Sequence, residues 1–316
     1  MKEYKKCNGE HISIVSEPLP RWGGQWTEEK LDTFTKYVNA YLTIMNKYRD
    51  KYGWKLIYFD GFAGSGSRQE VNASSDLLCD LFNENMIHED ELNLYQGAAE
   101  RVLSIEQRGF DYNYFIDKDC TSLSSLQQKL RNYKSKDKTL EFRCSDANKQ
   151  ILNMANALKN DINLRALVLL DPFGMQVNWE SISSLAKTHT DLWILIPTGV
   201  IVNRLLDRKG KLIHIETLCS FFGLSEKDIR DYFYEKKNMQ TLFGEEEQII
   251  KVSHPIKKIA DLYIKQLKTI FTQVTDEPLV MYNTRGIPIF HFAFASYNET
   301  AKKIASQIII KKGTKR

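Results

Sequence analysis

The feature that most restricts this chain is an apolar run that ends in an acid and enters a glycine cluster, Lys55-Leu-Ile-Tyr-Phe-Asp60 followed by Gly61-Phe-Ala-Gly-Ser-Gly66. The run reads as a buried strand, and the close glycines let the backbone turn sharply behind it and approach a ligand. The spacing Gly61-x-x-Gly64-x-Gly66 is neither G-x-G-x-x-G nor G-x-x-x-x-G-K-[ST], and no lysine follows Gly66, which argues against a nucleoside triphosphate. A plain tight turn is the competing reading.

The same pattern recurs down the chain. Apolar runs predict strands over 112–116, 139–143, 166–170 and 192–196, and helical spacing fills the intervals at about 96–108, 120–133, 147–159 and 179–187. Repeated βα units imply a parallel sheet with helices on both faces. A helix at about 254–272 then leads into strands 278–283 and 287–295, joined by Thr284-Arg285-Gly286, which supply an antiparallel hairpin. The expected fold class is α/β and Rossmann-like, with a mostly parallel seven-stranded sheet, an antiparallel C-terminal hairpin and helical additions.

Residues 1–53 read as a polar arm, broken by Pro18, Pro20, Gly23 and Gly24, and an amphipathic helix that packs on the core. Thr27 is the expected cap, and Leu31, Phe34, Val38, Tyr41, Leu42, Met45 and Tyr48 form the apolar face. Residues 54–316 form the main domain, with insertions at 67–94 and at 212–251, the latter read as an accessory helical segment interrupted by Gly223 and Gly244.

With 42% apolar and 27% charged residues, the composition excludes a disordered or collagenous chain. The formal charge of +4 fits both a nucleic-acid binder and an ordinary enzyme. Residues 251–316 hold twelve basic residues against four acidic ones, which suits phosphate contact or merely a solvated tail. Cys7, Cys79, Cys120, Cys144 and Cys219 are odd in number and widely spaced, arguing against a disulfide framework or a zinc site and for reduced thiols. No apolar stretch is long enough to span a bilayer, so no membrane association and a cytoplasmic location are expected.

Chemistry is expected at the strand ends. Asp117 and Asp119 follow the second strand, Asp146 the third, and Asp171 the fourth. Ligands of open α/β sheets bind outside the carboxyl ends of the strands, so these acids converge with the glycine loop on one crevice. Each acid taken alone is as readily a solvated strand end or a helix cap. In Asp171-Pro172-Phe173-Gly174 the proline stiffens the turn, and Phe173 is either a stacking platform for a planar ring or an ordinary core residue. His189, His214, His254 and His291 lack ligand spacing and no metal is expected.

These residues resemble a family. YFDGFAGSG at 58–66, YFIDKD at 114–119, SDAN at 145–148, LVLLDPFGMQVNW at 167–179 and LWILIPTGVIVNRLL at 192–206, with WTEEKL at 26–31 and IFHFAFASYNETAKKIA at 289–305, are similar to the three-Cys-motif partner protein (TcmP) family and, more broadly, to class I S-adenosylmethionine-dependent methyltransferases. The resemblance implies a cofactor site of Asp60, Gly61, Phe62, Gly64 and Gly66 around the methionine moiety, Asp117 on the ribose and Asp146 near adenine. It also implies catalysis by Asp171, Pro172 and Phe173, in a segment resembling the D/N-P-P-Y/F motif that holds a base amino group. Phe173 stands where that motif has its second proline, and Gly174 where it has the aromatic residue. The implied cofactor is S-adenosylmethionine and the implied substrate nucleic acid. An alternative is a catalytically altered scaffold that works with a three-Cys-motif partner protein.

Overall fold

The computed structural model describes residues 25–66, 97–241 and 244–313. Residues 1–24 of the expected arm and the whole of the expected insertion at 67–94 lie outside the described residues, as do Cys7 and Cys79.

Helix α1 (Gln25–Tyr52) precedes β1 (Lys55–Asp60). After it come α2 (Ala98–Leu103), β2 (Tyr112–Asp117), α3 (Cys120–Lys129), β3 (Thr139–Cys144), α4 (Ala147–Asn160), β4 (Leu164–Leu170), α5 (Trp179–Ser184) and β5 (Thr190–Ile196). The C-terminal part contains a π-helical turn (Thr198–Val202), α6 (Asn203–Leu205), α7 (Ile215–Phe222), α8 (Glu226–Phe233), a ribbon of β6 (Tyr234–Thr241) and β7 (Gly244–Lys251), and α9 (Pro255–Ile270). Strands β8 (Gln273–Val274), β9 (Leu279–Tyr282) and β10 (Pro288–Ser296) and helix α10 (Glu299–Gly313) complete it.

The main sheet runs β3-β2-β1-β4-β5-β10-β8, with β9 also on β10. The first five strands in that order are parallel; β10 is antiparallel to β5, and β8 and β9 are antiparallel to β10. The expected α/β class, mostly parallel sheet and C-terminal hairpin are therefore present. The sheet has eight strands rather than seven, because the two-residue β8 is too short to leave a period-2 signal. Strand order reverses between β1 and β4, where a doubly wound sheet opens its ligand crevice.

Burial of α1 orders the core. Phe34 lies 6.1 Å from Tyr58 of β1, Tyr37 lies 5.4 Å from Trp193 of β5 and 4.9 Å from Phe294 of β10, and Tyr41 stacks on Phe110 at 5.8 Å. Ring pairs of this kind add about 1 kcal/mol each beyond the area they bury. Buried Arg49 near the C-terminal end of α1 pairs with Asp111, whose carboxylate also accepts the N–H of Leu56 at 2.7 Å. This registers the helix on the first residues of β1.

Four expectations are corrected. The helix is already formed at Gln25, so Thr27 lies buried inside it rather than capping it. The expected helix at 96–108 shortens to α2, which ends where Ser104 returns both its N–H and its hydroxyl to the Glu100 carbonyl, while the carbonyls of Arg108 and Gly109 accept from Asn46 and Arg49 of α1. Segment 212–251 is helical only through Phe233 and ends in the β6–β7 ribbon. A two-stranded ribbon paired only with itself needs no apolar face, so its charged sequence carries no alternation. Finally, Cys120 and Cys144 form a disulfide with Cα atoms 5.1 Å apart. Their 24-residue separation hides the adjacency, because Cys144 pairs in register with Asp117 and α3 begins three residues beyond that acid.

Candidate functional site

The site forms where β1, β2, β3 and β4 end. Behind β1 the chain turns through the glycine loop, and Gly61 donates to the Leu169 carbonyl of β4 at 3.0 Å while Ala63 donates to the Ile116 carbonyl of β2 at 2.9 Å. The loop thus spans both neighbours of β1. At Gly61 a Cβ would come within 2.7 Å of Leu170 Cδ2, so a side chain there would require the buried Leu170 side chain to move. Gly64 has φ +56° and donates its N–H to Asp117 Oδ2 at 2.8 Å. Glycine takes this left-handed conformation without steric cost. Gly66 completes the loop, and its carbonyl accepts from Lys129 Nζ at 2.7 Å.

Asp117 also accepts the N–H of Asp119 through Oδ1 at 2.8 Å. Each of its oxygens therefore carries one backbone donor and keeps a lone pair, as paired ribose hydroxyls would require. Asp119 caps α3, accepting from Thr121 N and from Ser122 Oγ, so the helix-cap reading holds for it. Asp146 caps α4 and pairs with Lys118 at 2.9 Å. Burial works to raise its pKa, and the Lys118 contact with the N–H groups of Lys149 and Asn148 outweighs it, leaving the carboxyl below its ordinary value.

Asp60 is buried, accepting the N–H of Phe62 at 3.2 Å and the hydroxyl of Tyr58 at 3.1 Å. Burial pushes its pKa up to about 7, and the charges of Asp171 and Asp117 push the same way. The Phe62 side chain is half-buried against the core.

Asp171 leaves the end of β4 and pairs with Lys30 of α1, which is itself buried. Pro172 is buried, whereas Phe173 is 48% exposed, with its N–H on Gln176 Oε1 at 3.0 Å. That exposure excludes the core reading of Phe173 and leaves its ring at the surface beside Asp171.

The residues expected from sequence lie at the ends of four adjacent parallel strands: Asp60, Gly61, Phe62, Gly64 and Gly66 at β1, Asp117 at β2, Asp146 behind β3, and Asp171, Pro172 and Phe173 behind β4. Sequence reasoning missed Lys30, Lys118 and Tyr58. Lys30 did leave a signal, because it lies four residues from Trp26 and four from Phe34, on the buried stripe of α1. Among the described residues, no group of three or more His, Cys, Asp or Glu side chains is placed to hold a metal ion.

No protein-family model matches the chain, and no curated protein matches it. The chain is a distant structural neighbour of protein LPL1258 from Legionella pneumophila str. Philadelphia 1, of family DUF519, at 15% sequence identity and a TM-score of 0.39, over 87% of this chain and 97% of that one. Among the described residues, no helix is long and apolar enough to cross a membrane.

Proposed function

We propose that the crevice binds S-adenosylmethionine and that the protein transfers its methyl group to an amino group, that of a nucleic-acid base being the acceptor favoured. The observation that carries this reading is the Gly64 N–H on Asp117 Oδ2, which joins a glycine loop and a strand-end carboxylate with free lone pairs into one binding edge. The residues fit the cofactor. Lys30 balances Asp171 and Lys118 balances Asp146, which leaves the Asp117 carboxylate as the uncompensated charge, one that favours a cation such as a sulfonium over a polyphosphate. The antiparallel strand beside β5 also agrees with the resemblance to class I methyltransferases.

The glycine loop from Gly61 to Gly66, with Asp60 and Phe62, would hold the methionine end, Asp117 the ribose and Asp146 the adenine edge. When bound, the cofactor supplies an electrophilic methyl group on a positively charged sulfur. Asp171 and the Pro172 carbonyl would accept hydrogen bonds from the acceptor amino group, orienting its lone pair. Phe173 would stack on the base carrying it, a contact worth about 1–3 kcal/mol. Lys30 holds one oxygen of Asp171 and fixes the carboxylate for this task. Positioning and exclusion of water suffice for in-line transfer between two such groups.

Two observations favour a second reading. Lys30 already occupies Asp171, and Phe173-Gly174 replaces the usual proline and aromatic residue, as in a scaffold that kept the fold and altered the chemistry. Such a scaffold would dock a three-Cys-motif partner protein. Incubation with S-adenosylmethionine carrying a labelled methyl group and total nucleic acid separates the two. Label in nucleic acid, lost in Asp171→Ala, supports the enzyme; cofactor binding without any transfer supports the scaffold.

A further inference from the structure

The segment after β5 displays cations on a backbone that the fold holds rigidly. Asp207 turns its carboxylate inward, where Oδ1 accepts the N–H of Lys209 at 2.8 Å and Oδ2 that of Leu212 at 2.7 Å. From the other side, Tyr234 donates its hydroxyl to the Asp207 carbonyl at 2.8 Å and Arg230 donates to the Gly210 carbonyl at 2.6 Å. Beneath the loop, Lys251 Nζ donates to the Leu206 and Asn203 carbonyls. Leu212 is buried with φ +46°, a left-handed conformation that side chains rarely adopt. Sinking Leu212 into the core leaves Lys211 and Ile213 exposed on either side, and Ile213 is 82% exposed.

Arg208, Lys209 and Lys211 are exposed, and none has an ion-pair partner among the described residues. The acid of the loop itself, Asp207, is turned to backbone N–H groups. By contrast, much of the C-terminal basic excess is tied up: Lys268 and Lys302 pair with Asp276, Lys303 with Glu299, and Lys251 caps carbonyls. The chain that leads to the loop, the π-helical turn and α6, leaves β5 at the same edge of the sheet as Asp171 leaves β4. The next helix, α7, is bonded to the chain beyond Phe173 through Ser220 Oγ on Asn178 Oδ1 at 3.0 Å.

We propose that the Asp207–His214 loop is a contact surface for the phosphodiester backbone of a nucleic acid, with Arg208, Lys209 and Lys211 on phosphates and Ile213 against a sugar or base face. The identity of the reacting partner rests on the methyl-transfer reading; the binding surface does not. An acid-lined crevice repels phosphates, so a strand that delivers a base to Asp171 needs its backbone held by cations at the rim. A single isoleucine is too small to insert stably into a bilayer, whereas apolar side chains flanked by cations suit contact with bases.

The test is fluorescence anisotropy of the full chain with labelled single-stranded DNA, duplex DNA and RNA of one sequence, across a salt series. Wild-type protein is expected to bind at least one of them with affinity that falls steeply with salt. The variant Arg208→Ala/Lys209→Ala/Lys211→Ala should bind about tenfold or more weakly near physiological salt and lose about two to three from the magnitude of the log–log salt slope. Ile213→Ala should weaken binding and leave the slope unchanged. Circular dichroism and S-adenosylmethionine titration of each variant confirm that it folds and keeps its crevice. Wild-type affinity and slope in the triple variant, absence of oligonucleotide binding at low salt, or loop-dependent binding to anionic vesicles alone would each overturn the proposal. Failure to bind the cofactor would instead remove the methyl-transfer reading and leave the surface standing.

Discussion

Lys30 Nζ donates to Asp171 Oδ2, tying the N-terminal part of α1 to the turn behind β4 across 141 residues of sequence. With Arg49 on Asp111 at the other end, α1 is held to the sheet by two buried cations. If Asp171 orients the acceptor as proposed, Lys30 positions it. Lys30→Met should lower stability by about 2–3 kcal/mol, because it leaves a partly buried carboxylate without its partner, as read by urea denaturation. In methyl-transfer assays it should reduce kcat more than it raises KM for the cofactor, and Lys30→Arg should recover part of both losses. Equal effects on kcat and KM, or none, would remove the positioning role.

Asp171→Asn preserves volume and one acceptor oxygen while removing the charge. We expect at least a hundredfold loss of methyl transfer, within the range seen when one charge-stabilising group is removed, with S-adenosylmethionine affinity within a few-fold of wild type. Calorimetry alongside the transfer assay checks both numbers. Phe173→Ala should raise KM for the acceptor alone.

The pH dependence of stability should carry the signature of Asp60. Its carboxyl titrates near 7 in the folded protein against an ordinary 3.8, so the unfolded chain gives up its proton first as pH rises. The stability linked to this group is therefore fully present below about pH 4, is lost between pH 4 and 7 by about 4 kcal/mol, and stays low above that. Asp60→Asn should flatten the slope and make the protein more stable than wild type at pH 8, by urea denaturation across the range. An unchanged slope would show that Asp60 does not titrate there.

Reducing the Cys120–Cys144 disulfide opens a loop with a sequence separation of 24. On chain-entropy grounds this should cost about 3 kcal/mol, relieved for neither Cys120→Ser nor Cys144→Ser by added oxidant. Melting with and without dithiothreitol, with thiol counting, is the check.

Much of this architecture was legible because its signals are local. The run Lys55–Asp60, the apolar strand that ends at Leu170, and the helical stripe from Phe34 to Leu42 each fold as their periodicity demands, whereas Tyr48, expected on the same face, is exposed. The strand-end acids were legible because the βα alternation puts every strand's carboxyl end on one side. What stayed hidden depends on tertiary partners. Lys30 matters through an acid far along the chain, the Cys120–Cys144 bond through the register of β2 and β3, and the β6–β7 ribbon through pairing that no core face imposes. Asp119 and Asp146 show the remaining ambiguity, because a helix cap and a ligand acid occupy the same place at a strand end.

The most direct test of the central claim is calorimetric titration of S-adenosylmethionine into the wild-type protein and into Asp117→Ala. Saturable one-to-one binding by wild type, weakened about tenfold or more in the variant while its circular dichroism spectrum is unchanged, is the expected result, since the variant loses the anchor of Gly64 and the ribose acceptor together. Absence of binding heat at about 1 mM cofactor in a folded wild-type protein, a concentration that reports even affinities near −4 kcal/mol, would contradict it.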